Sequence, residues 1–179
     1  MGILIAFAPF IVFVIVERLF GIPIGLAAGG LSSLGILLFD VAIRKKNVKV
    51  LELGTCLLFG GLLLLALIDD AEWSVMAVRL RVDAGLLLIV LFSLAVRRPF
   101  TLPYAREEVD RLLWDSREFI RTNYVISAVW ALAFTLMVLA DIVLIYEPQL
   151  PQKIGIIATI VAIVGAVKFT SWYPQRAKA

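Results

Sequence analysis

The sequence predicts an all-α protein, a polytopic bundle of transmembrane helices that forms one membrane domain over residues 1–179. Hydrophobic residues make up 62% of the chain and its mean hydropathy is +1.01, whereas soluble domains are nearer half apolar. Only 17% of the residues are charged, and they gather in short segments between long uncharged runs. Amphipathic helices of soluble proteins alternate charged and apolar residues instead, so this pattern indicates that lipid surrounds most of the chain.

Six uncharged runs mark the expected membrane segments. They cover residues 1–16, 19–39, 53–68, 84–96, 122–140 and 154–167. Because about 20 apolar residues span the hydrocarbon core, the second and fifth runs are long enough by themselves. The third, fourth and sixth reach that length if polar ends lie at the interface, at Val50–Ile68, Trp73–Val96 and Ile154–Tyr173. We therefore expect about six membrane segments.

The first run is the least regular of the six. It contains Pro9, ends at Glu17-Arg18 and is followed by Gly21-Ile22-Pro23. It is therefore either a short span or a re-entrant helix before a tight turn, and a re-entrant helix would leave five spans. No basic residue precedes Glu17, so the charged leader of a secretory signal peptide is missing and we expect this segment to remain in the mature protein.

Lysine and arginine residues are distributed unequally between the two sides of a six-span arrangement. One side has Arg44, Lys45, Lys46, Lys49, Arg97, Arg98, Arg106, Arg111, Arg117, Arg121, Lys168, Arg176 and Lys178. The other side has Arg18, Arg79, Arg81 and Lys153. Because basic loops are retained in the cytoplasm, both termini are predicted to be cytoplasmic. The side of the C-terminus does not depend on whether the first segment crosses.

The segment 97–121 is the one sizeable polar stretch and is expected to be a cytoplasmic loop. One stripe of a helix is formed at three- and four-residue spacing by Val109, Leu112, Leu113, Ser116 and Ile120. Pro103 suits a first helical position. We expect a short amphipathic helix, lying either on the cytoplasmic leaflet or as a lid over the bundle. Its candidate interaction residues are Arg97, Arg98, Arg106, Arg111, Trp114 and Arg117.

Several kinds of chemistry are disfavoured by the composition. Histidine is absent and Cys56 is the one cysteine, which removes the usual zinc ligand, the usual proton shuttle and any nucleophile paired with histidine. We therefore expect no catalytic residues, no metal site, no cofactor and no enzymatic activity. The basic residues lie between apolar runs, where orientation and anionic lipid account for the net charge of +3, so nucleic acid is not an expected partner.

Charged residues within the apolar segments are candidates for function, because a charge in lipid is costly. Glu17 and Arg18, together with Asp83 and Asp141, could line a polar pathway. Structural pairing is the alternative that the sequence favours. Arg79 precedes Asp83 by four residues, a spacing that closes an ion pair on one helix face, and Glu17-Arg18 could pair with Asp141.

Other charged residues have simpler interpretations. Asp40 precedes Arg44 by four residues and Glu52 follows the basic loop, so we assign all three to anchoring at the headgroups. The acidic turn 69–73 could bind a cation, but it lacks the alternating ligands of a calcium loop, and a solvated turn with Trp73 at the interface is the expected structure.

Small residues inside two of the runs predict close helix packing. The positions are Gly29, Gly30, Gly60 and Gly61. Small residues let helix backbones approach each other in lipid. A phosphate loop is not expected here, because neither pair is followed by the lysine and hydroxyl residues of that motif.

Several short motifs occur in an order that is typical of one family. They are Phe7-Ala8-Pro9-Phe10, Gly21-Ile22, a basic exit near Arg44, Phe59-Gly60-Gly61, Asp69-Asp70 with Trp73, Arg97-Arg98-Pro99-Phe100, and Asn123 followed by Val129-Trp130-Ala131. In this succession nearly the whole chain resembles the YciB family, also called intracellular septation protein A. The resemblance implies a multi-pass protein of the bacterial inner membrane that acts in envelope maintenance and septum formation, with no catalytic residues to carry over.

The expected function is a non-enzymatic scaffold whose cytoplasmic loop and helix faces bind other division and wall-synthesis proteins in the membrane. Self-association into a homo-oligomer is left open. A small channel or transporter that uses the charged residues of the polar pathway is the second hypothesis. An enzyme acting on lipid-linked substrates is the third, because the acidic residues and the arginine-rich segment could contact phosphate headgroups.

Overall fold

The structure is a computed structural model that describes residues 2–68, 73–151 and 153–177. Within these ranges all regular elements are helices and no strand is present. The chain forms two compact units, Met1–Val78 and Arg79–Ala179. The predicted acidic turn at residues 69–72 lies outside the described residues.

Eight α-helices occur among the described residues. They are α1 Gly2–Ala6, α2 Ala8–Phe20, α3 Ile22–Leu38, α4 Val50–Ile68, α5 Val75–Ala95, α6 Leu102–Arg106, α7 Arg117–Tyr146 and α8 Lys153–Ala177. A π-helical turn, Phe39–Ile43, continues α3, and a 3-10 turn, Arg111–Leu113, lies between α6 and α7.

Five helical stretches in the described part of the chain are long and apolar enough to cross a membrane. They are Ile3–Phe20, Ile22–Ile43, Val50–Ile68, Arg117–Tyr146 and Lys153–Arg176. The all-helical class is therefore confirmed, and these helices have the length and composition of membrane spans. The first segment is one of the five.

Helix α5 is not among these five stretches, and here the structure differs from the six predicted segments. Its 21 residues are enough to reach across hydrocarbon. However, Arg79, Arg81 and Asp83 all lie in its first half. Helix α5 is thus long enough to span a membrane but is charged in its first half, and the partners of these charges decide whether it can lie in lipid.

The first segment ends in the tight turn that the sequence predicts. Helix α2 carries Pro9 in its first turn and stops at Gly21, whose φ of 88° is a left-handed conformation that glycine adopts without strain. Helix α3 begins immediately and folds back on α2. A Cβ atom at Gly25 would lie only 2.6 Å from Cβ of Glu17, so this position, which the sequence analysis missed, requires glycine for the close crossing.

The core of the first unit forms where α3 packs against both α2 and α4. The Phe59 side chain of α4 is fully buried, and its ring centroid lies 5.1 Å from that of Phe10 and 5.5 Å from that of Phe13. A Cβ atom at Gly29 would approach this ring to 2.8 Å. The aromatic ring therefore occupies the space that a side chain at Gly29 would need.

The predicted packing glycines have different outcomes. Gly29 lies in a close helix contact, and a Cβ at Gly30 would be 3.7 Å from Cβ of Phe59, an ordinary contact. At Gly60 and Gly61 a Cβ would meet no described atom within 4 Å, so close packing at these two positions remains a prediction. The buried face of α4 carries Leu51, Thr55, Phe59 and Leu62, and the two glycines point away from it.

The segment 97–121 does not form the single amphipathic helix that its apolar stripe predicts. Helix α6 starts with Pro103 in its first turn, as expected, but ends after five residues. Asp110 and Ser116 then adopt extended conformations and accept hydrogen bonds from the backbone N–H groups of Leu112 and Phe119. Each side chain caps a new helical turn, so the stripe is divided among the chain after α6, the 3-10 turn and the start of α7.

In the second unit, α7 packs against α8, and aromatic residues fill the contact. Trp130 of α7 is buried and donates a 3.0 Å hydrogen bond from Nε1 to the Thr170 hydroxyl of α8. Its ring lies edge-on to Phe100, with centroids 6.3 Å apart, and 5.6 Å from Phe134. The indole thus buries its apolar surface while its polar N–H is satisfied.

The contact between Gly29 and Phe59 predicts a difference between two glycines of similar sequence context. We expect Gly29→Ala to lower the free energy of unfolding by about 1–3 kcal/mol, because the new methyl group overlaps a ring that is held by other rings. Gly60→Ala is the control, and alanine there should be neutral or stabilising by up to about 1 kcal/mol through its helix propensity. Unfolding midpoints in detergent micelles, followed by circular dichroism, measure the difference. Equal midpoints for both variants would contradict the packing.

Candidate functional site

The second unit contains an ion pair in its interior. Nε of Arg79, on α5, lies 2.9 Å from Oδ1 of Asp141, on α7. The Asp141 side chain is 0% exposed and that of Arg79 is 24% exposed. The contact is an ion pair by distance, although neither Asp141 oxygen receives a well-directed hydrogen bond from a described residue. Its attraction is therefore mainly Coulombic.

The same guanidinium also binds to α8. One terminal nitrogen of Arg79 donates a 3.0 Å hydrogen bond to the carbonyl oxygen of Gly155 and a second one to the Thr159 hydroxyl. Thr159 in turn donates to the Gly155 carbonyl at 2.9 Å. Arg79 thus links α5 to both α7 and α8. The contact is close, since a Cβ at Gly155 would lie 2.5 Å from Cδ1 of Leu144, whose side chain would have to move.

Asp83 adds a second carboxyl group one turn further along α5. Its side chain is buried, at 7% exposure, and its carboxyl group interacts directly with that of Asp141. Oδ2 of Asp83 and Oδ2 of Asp141 are buried and receive no hydrogen bond from the described part of the chain. We name Arg79, Asp83 and Asp141 the α5–α7 charge cluster. It contains two carboxyl groups and one guanidinium.

The structure revises the predicted pairing of these residues. The expected interfacial pair was Arg79 with Asp83, whereas the arginine ion-pairs with Asp141 on another helix and the Asp83 carboxyl is buried. The four residues of the predicted polar pathway fall in both units, since Glu17 and Arg18 belong to the first and Asp83 and Asp141 to the second. Asp83 and Asp141 come together, and a pathway through all four residues remains a prediction.

A second group of charges lies in the first unit, between the end of α3 and the start of α4. Nζ of Lys49 is 2.8 Å from Oδ2 of Asp40 and 3.0 Å from Oε1 of Glu52, and all three side chains are at most 7% exposed. Arg44, half exposed, lies 3.4 Å from Oδ1 of Asp40. We name these four residues the α3–α4 charge cluster. It contains two acidic and two basic groups, and the nearby Lys46 adds a further positive charge that acts on Asp40.

Only part of this cluster is predicted by the sequence. The pair of Asp40 with Arg44 is confirmed, but burial overturns the assignment of Asp40 and Glu52 to the headgroups. The central role of Lys49 was missed. Its three-residue spacing to Glu52 was the available signal, whereas its contact with Asp40 depends on the non-helical residues 44–49 that connect the π-helical end of α3 to α4.

The predicted interaction residues lie in the 3-10 turn and in the chain on either side of it. Arg97 and Arg98 follow α5, Arg106 ends α6, Arg111 begins the 3-10 turn and Arg117 begins α7. The guanidinium groups of Arg106 and Arg111 lie 5.3 and 5.5 Å from the Trp114 ring centroid. Beside them Leu112 is 89% exposed. The segment therefore presents apolar and basic groups together at the surface.

Buried hydrogen bonds hold the beginning of this segment against α7. The Thr101 hydroxyl lies 3.1 Å from both the carbonyl and side-chain oxygens of Asn123 and 3.0 Å from the Ser127 hydroxyl. The Ser93 hydroxyl accepts a 3.2 Å hydrogen bond from the backbone N–H of Phe100. All four polar side chains are buried. No local sequence pattern predicts this network, because its members come from separate elements.

Comparison with other proteins adds no identification. In the described residues, no group of three or more cysteine or acidic side chains could hold a metal ion. No protein-family model matches the chain, and no curated protein or solved structure is detectably similar to it. The resemblance to the YciB family therefore rests on the order of its short motifs alone.

The α3–α4 charge cluster predicts a strong effect of its central lysine on stability. Lys49→Met leaves two buried carboxylates with less compensation, and loss of one partner of a buried pair costs about 3–5 kcal/mol. Lys45→Met is the matched control because Lys45 is exposed in the same loop, and we expect it to change stability by less than about 0.5 kcal/mol. Denaturant unfolding in micelles measures both. Similar midpoints for the two variants would contradict the role of Lys49.

Proposed function

We propose that this chain is a multi-pass protein of the bacterial inner membrane, a non-enzymatic scaffold for cell-division and wall-synthesis proteins. The observation that carries the proposal is the surface of the 3-10 turn. Leu112 is almost fully exposed there, between arginines that stack on Trp114. Apolar groups beside arginine and tryptophan are typical of the energetic centre of protein interfaces.

The residues that precede this surface in the chain are fixed in the protein interior, so the surface is ordered for docking and is not a mobile loop. Thr101 is hydrogen-bonded to Asn123 and Ser127 in the interior of the second unit, and Tyr104 of α6 is buried. The exposed residues therefore start from a fixed position on α7. A pre-ordered surface loses less conformational entropy on binding, which supports a partner-binding role. The charge of the surface suits an acidic patch on the partner.

The proposed topology has six spans, with α5 as the fourth. A helix of 21 residues rises about 31 Å, which matches the hydrocarbon core. Inside the second unit Arg79 is ion-paired with Asp141, which lowers the cost of placing α5 in lipid. A crossing at α5 also puts the basic residues of 44–49 and 97–121 on one side, the cytoplasm, together with the C-terminus.

Single-cysteine variants test the topology and the partner surface in one experiment. In a Cys56→Ala background, Leu112→Cys should be inaccessible to an impermeant maleimide in intact cells and labelled once the membrane is opened. Tyr146→Cys, 81% exposed at the far end of α7, is the matched control and should be labelled in intact cells. A photo-crosslinker attached to the thiol of the Leu112→Cys variant should then capture division or wall-synthesis membrane proteins.

Two outcomes of this experiment contradict the proposal. Labelling at position 112 in intact cells would place the surface outside the cytoplasm. Crosslinks to lipid alone would assign the segment to the leaflet and remove its scaffold role.

A small channel or transporter is the second candidate, and the α5–α7 charge cluster is the observation that favours it. Uncancelled carboxyl groups within membrane helices commonly belong to ion or proton pathways. The test is flux in proteoliposomes, with Asp115→Asn as the control because that side chain is 96% exposed. Flux that is lost in Asp141→Asn and kept in Asp115→Asn would support transport. Absence of flux in the unmodified protein would leave the scaffold.

A further inference from the structure

The charges of the α5–α7 charge cluster do not cancel. Ionised Asp83 and Asp141 carry two negative charges, and Arg79 carries one positive charge. Among the described residues, Arg79 is the one charged side chain that interacts with the two carboxyl groups, besides their interaction with each other. Helix α8 contributes the Gly155 carbonyl and the Thr159 hydroxyl, and both are bound to Arg79. One negative charge would therefore remain in a region closed to water, where an isolated ion is strongly disfavoured.

The hydrogen bonds of the cluster show the same deficit. Asp83 and Asp141 are both more than nine-tenths buried, and each has a buried Oδ2 atom that receives no hydrogen bond from the described chain. The directed hydrogen bonds of Arg79 go to α8 instead. Two neighbouring carboxylates are both acceptors only, so neither can satisfy the other. One bound proton would supply the missing donor and cancel the excess charge together.

We propose that Asp83 and Asp141 form a site that binds one proton, held by Asp83 and donated in a hydrogen bond to Asp141. The ion pair assigns the two roles, because Arg79 keeps Asp141 ionised at 2.9 Å while Asp83 has no ion-pair partner of its own among the described residues. With the proton bound, the cluster is neutral overall. When the proton leaves, the two carboxylates repel each other. This proton site depends on neither the scaffold nor the transport proposal.

Infrared spectroscopy of the full chain in lipid nanodiscs tests the site directly. At neutral pH exposed carboxyl groups are ionised, so the C=O stretch of a protonated acid, identified by its shift in D2O, should come from the buried pair. The band is expected in the unmodified protein, absent in Asp83→Asn and retained in Asp115→Asn, the exposed control. A spectrum without the band, or one unchanged in Asp83→Asn, would overturn the proposal.

Stability gives a second readout that keeps the test decisive if a variant folds poorly. Asparagine at position 83 is neutral and can donate to Asp141, so Asp83→Asn should keep the unfolding midpoint of the unmodified protein, whereas Asp83→Ala, which donates nothing, should unfold at lower denaturant. A large loss in Asp83→Asn would mean that Asp83 is ionised, against the proposal. Stabilisation by sodium chloride, but not by choline chloride, would assign the site to a metal cation and also overturn it.

Discussion

A charged side chain buried inside a protein has no water to hydrate it, so its charge must be compensated by neighbouring groups or by a bound proton. The second unit depends on this constraint. Arg79 makes an ion pair with Asp141 and hydrogen bonds to Gly155 and Thr159, so one guanidinium connects three helices. Small residues support the arrangement, since Gly155 leaves room for α7 and for the arginine together. Apolar packing then completes the contact of α7 with α8 around Trp130.

The carboxyl groups of the two buried charge clusters are compensated to different degrees, and this difference distinguishes a structural cluster from a candidate site. In the α3–α4 charge cluster each carboxylate has a basic partner, and Lys49 lies between both carboxylates. Such an arrangement holds the end of one helix to the start of the next. The α5–α7 charge cluster has one carboxyl group too many. An uncompensated carboxyl group in a buried site is a common mark of a group that binds or releases a proton.

The polar segment between α5 and α7 illustrates how local hydrogen bonds override a periodic pattern. Its apolar residues repeat as they would on one helix, yet Asp110 and Ser116 each cap a separate turn. Capping side chains compete with the continuing helix for the same backbone N–H groups. The result exposes Leu112, whereas a continuous helix would have placed it on a stripe with Val109 and Leu113. The buried Thr101 network fixes where this exposed surface begins.

The sequence by itself determined the features that depend on local composition. Hydropathy defined the membrane-type helices, and the predicted span Val50–Ile68 coincides with α4 at both ends. Gly21 and the prolines around it predicted the tight turn between α2 and α3. Charges four residues apart predicted the contact of Asp40 with Arg44, because one turn of helix fixes that distance.

Only the tertiary structure decided which distant charges meet and which glycines are in contact. The sequence paired Arg79 with Asp83, but the packing of α5, α7 and α8 brings the arginine to Asp141. Gly29 and Gly60 look alike in sequence, and the rotation of α4 about its axis turns Phe59 towards the first and leaves the second open. Helix register and rotation arise from side-chain packing over the whole contact surface, so no local pattern of residues specifies them.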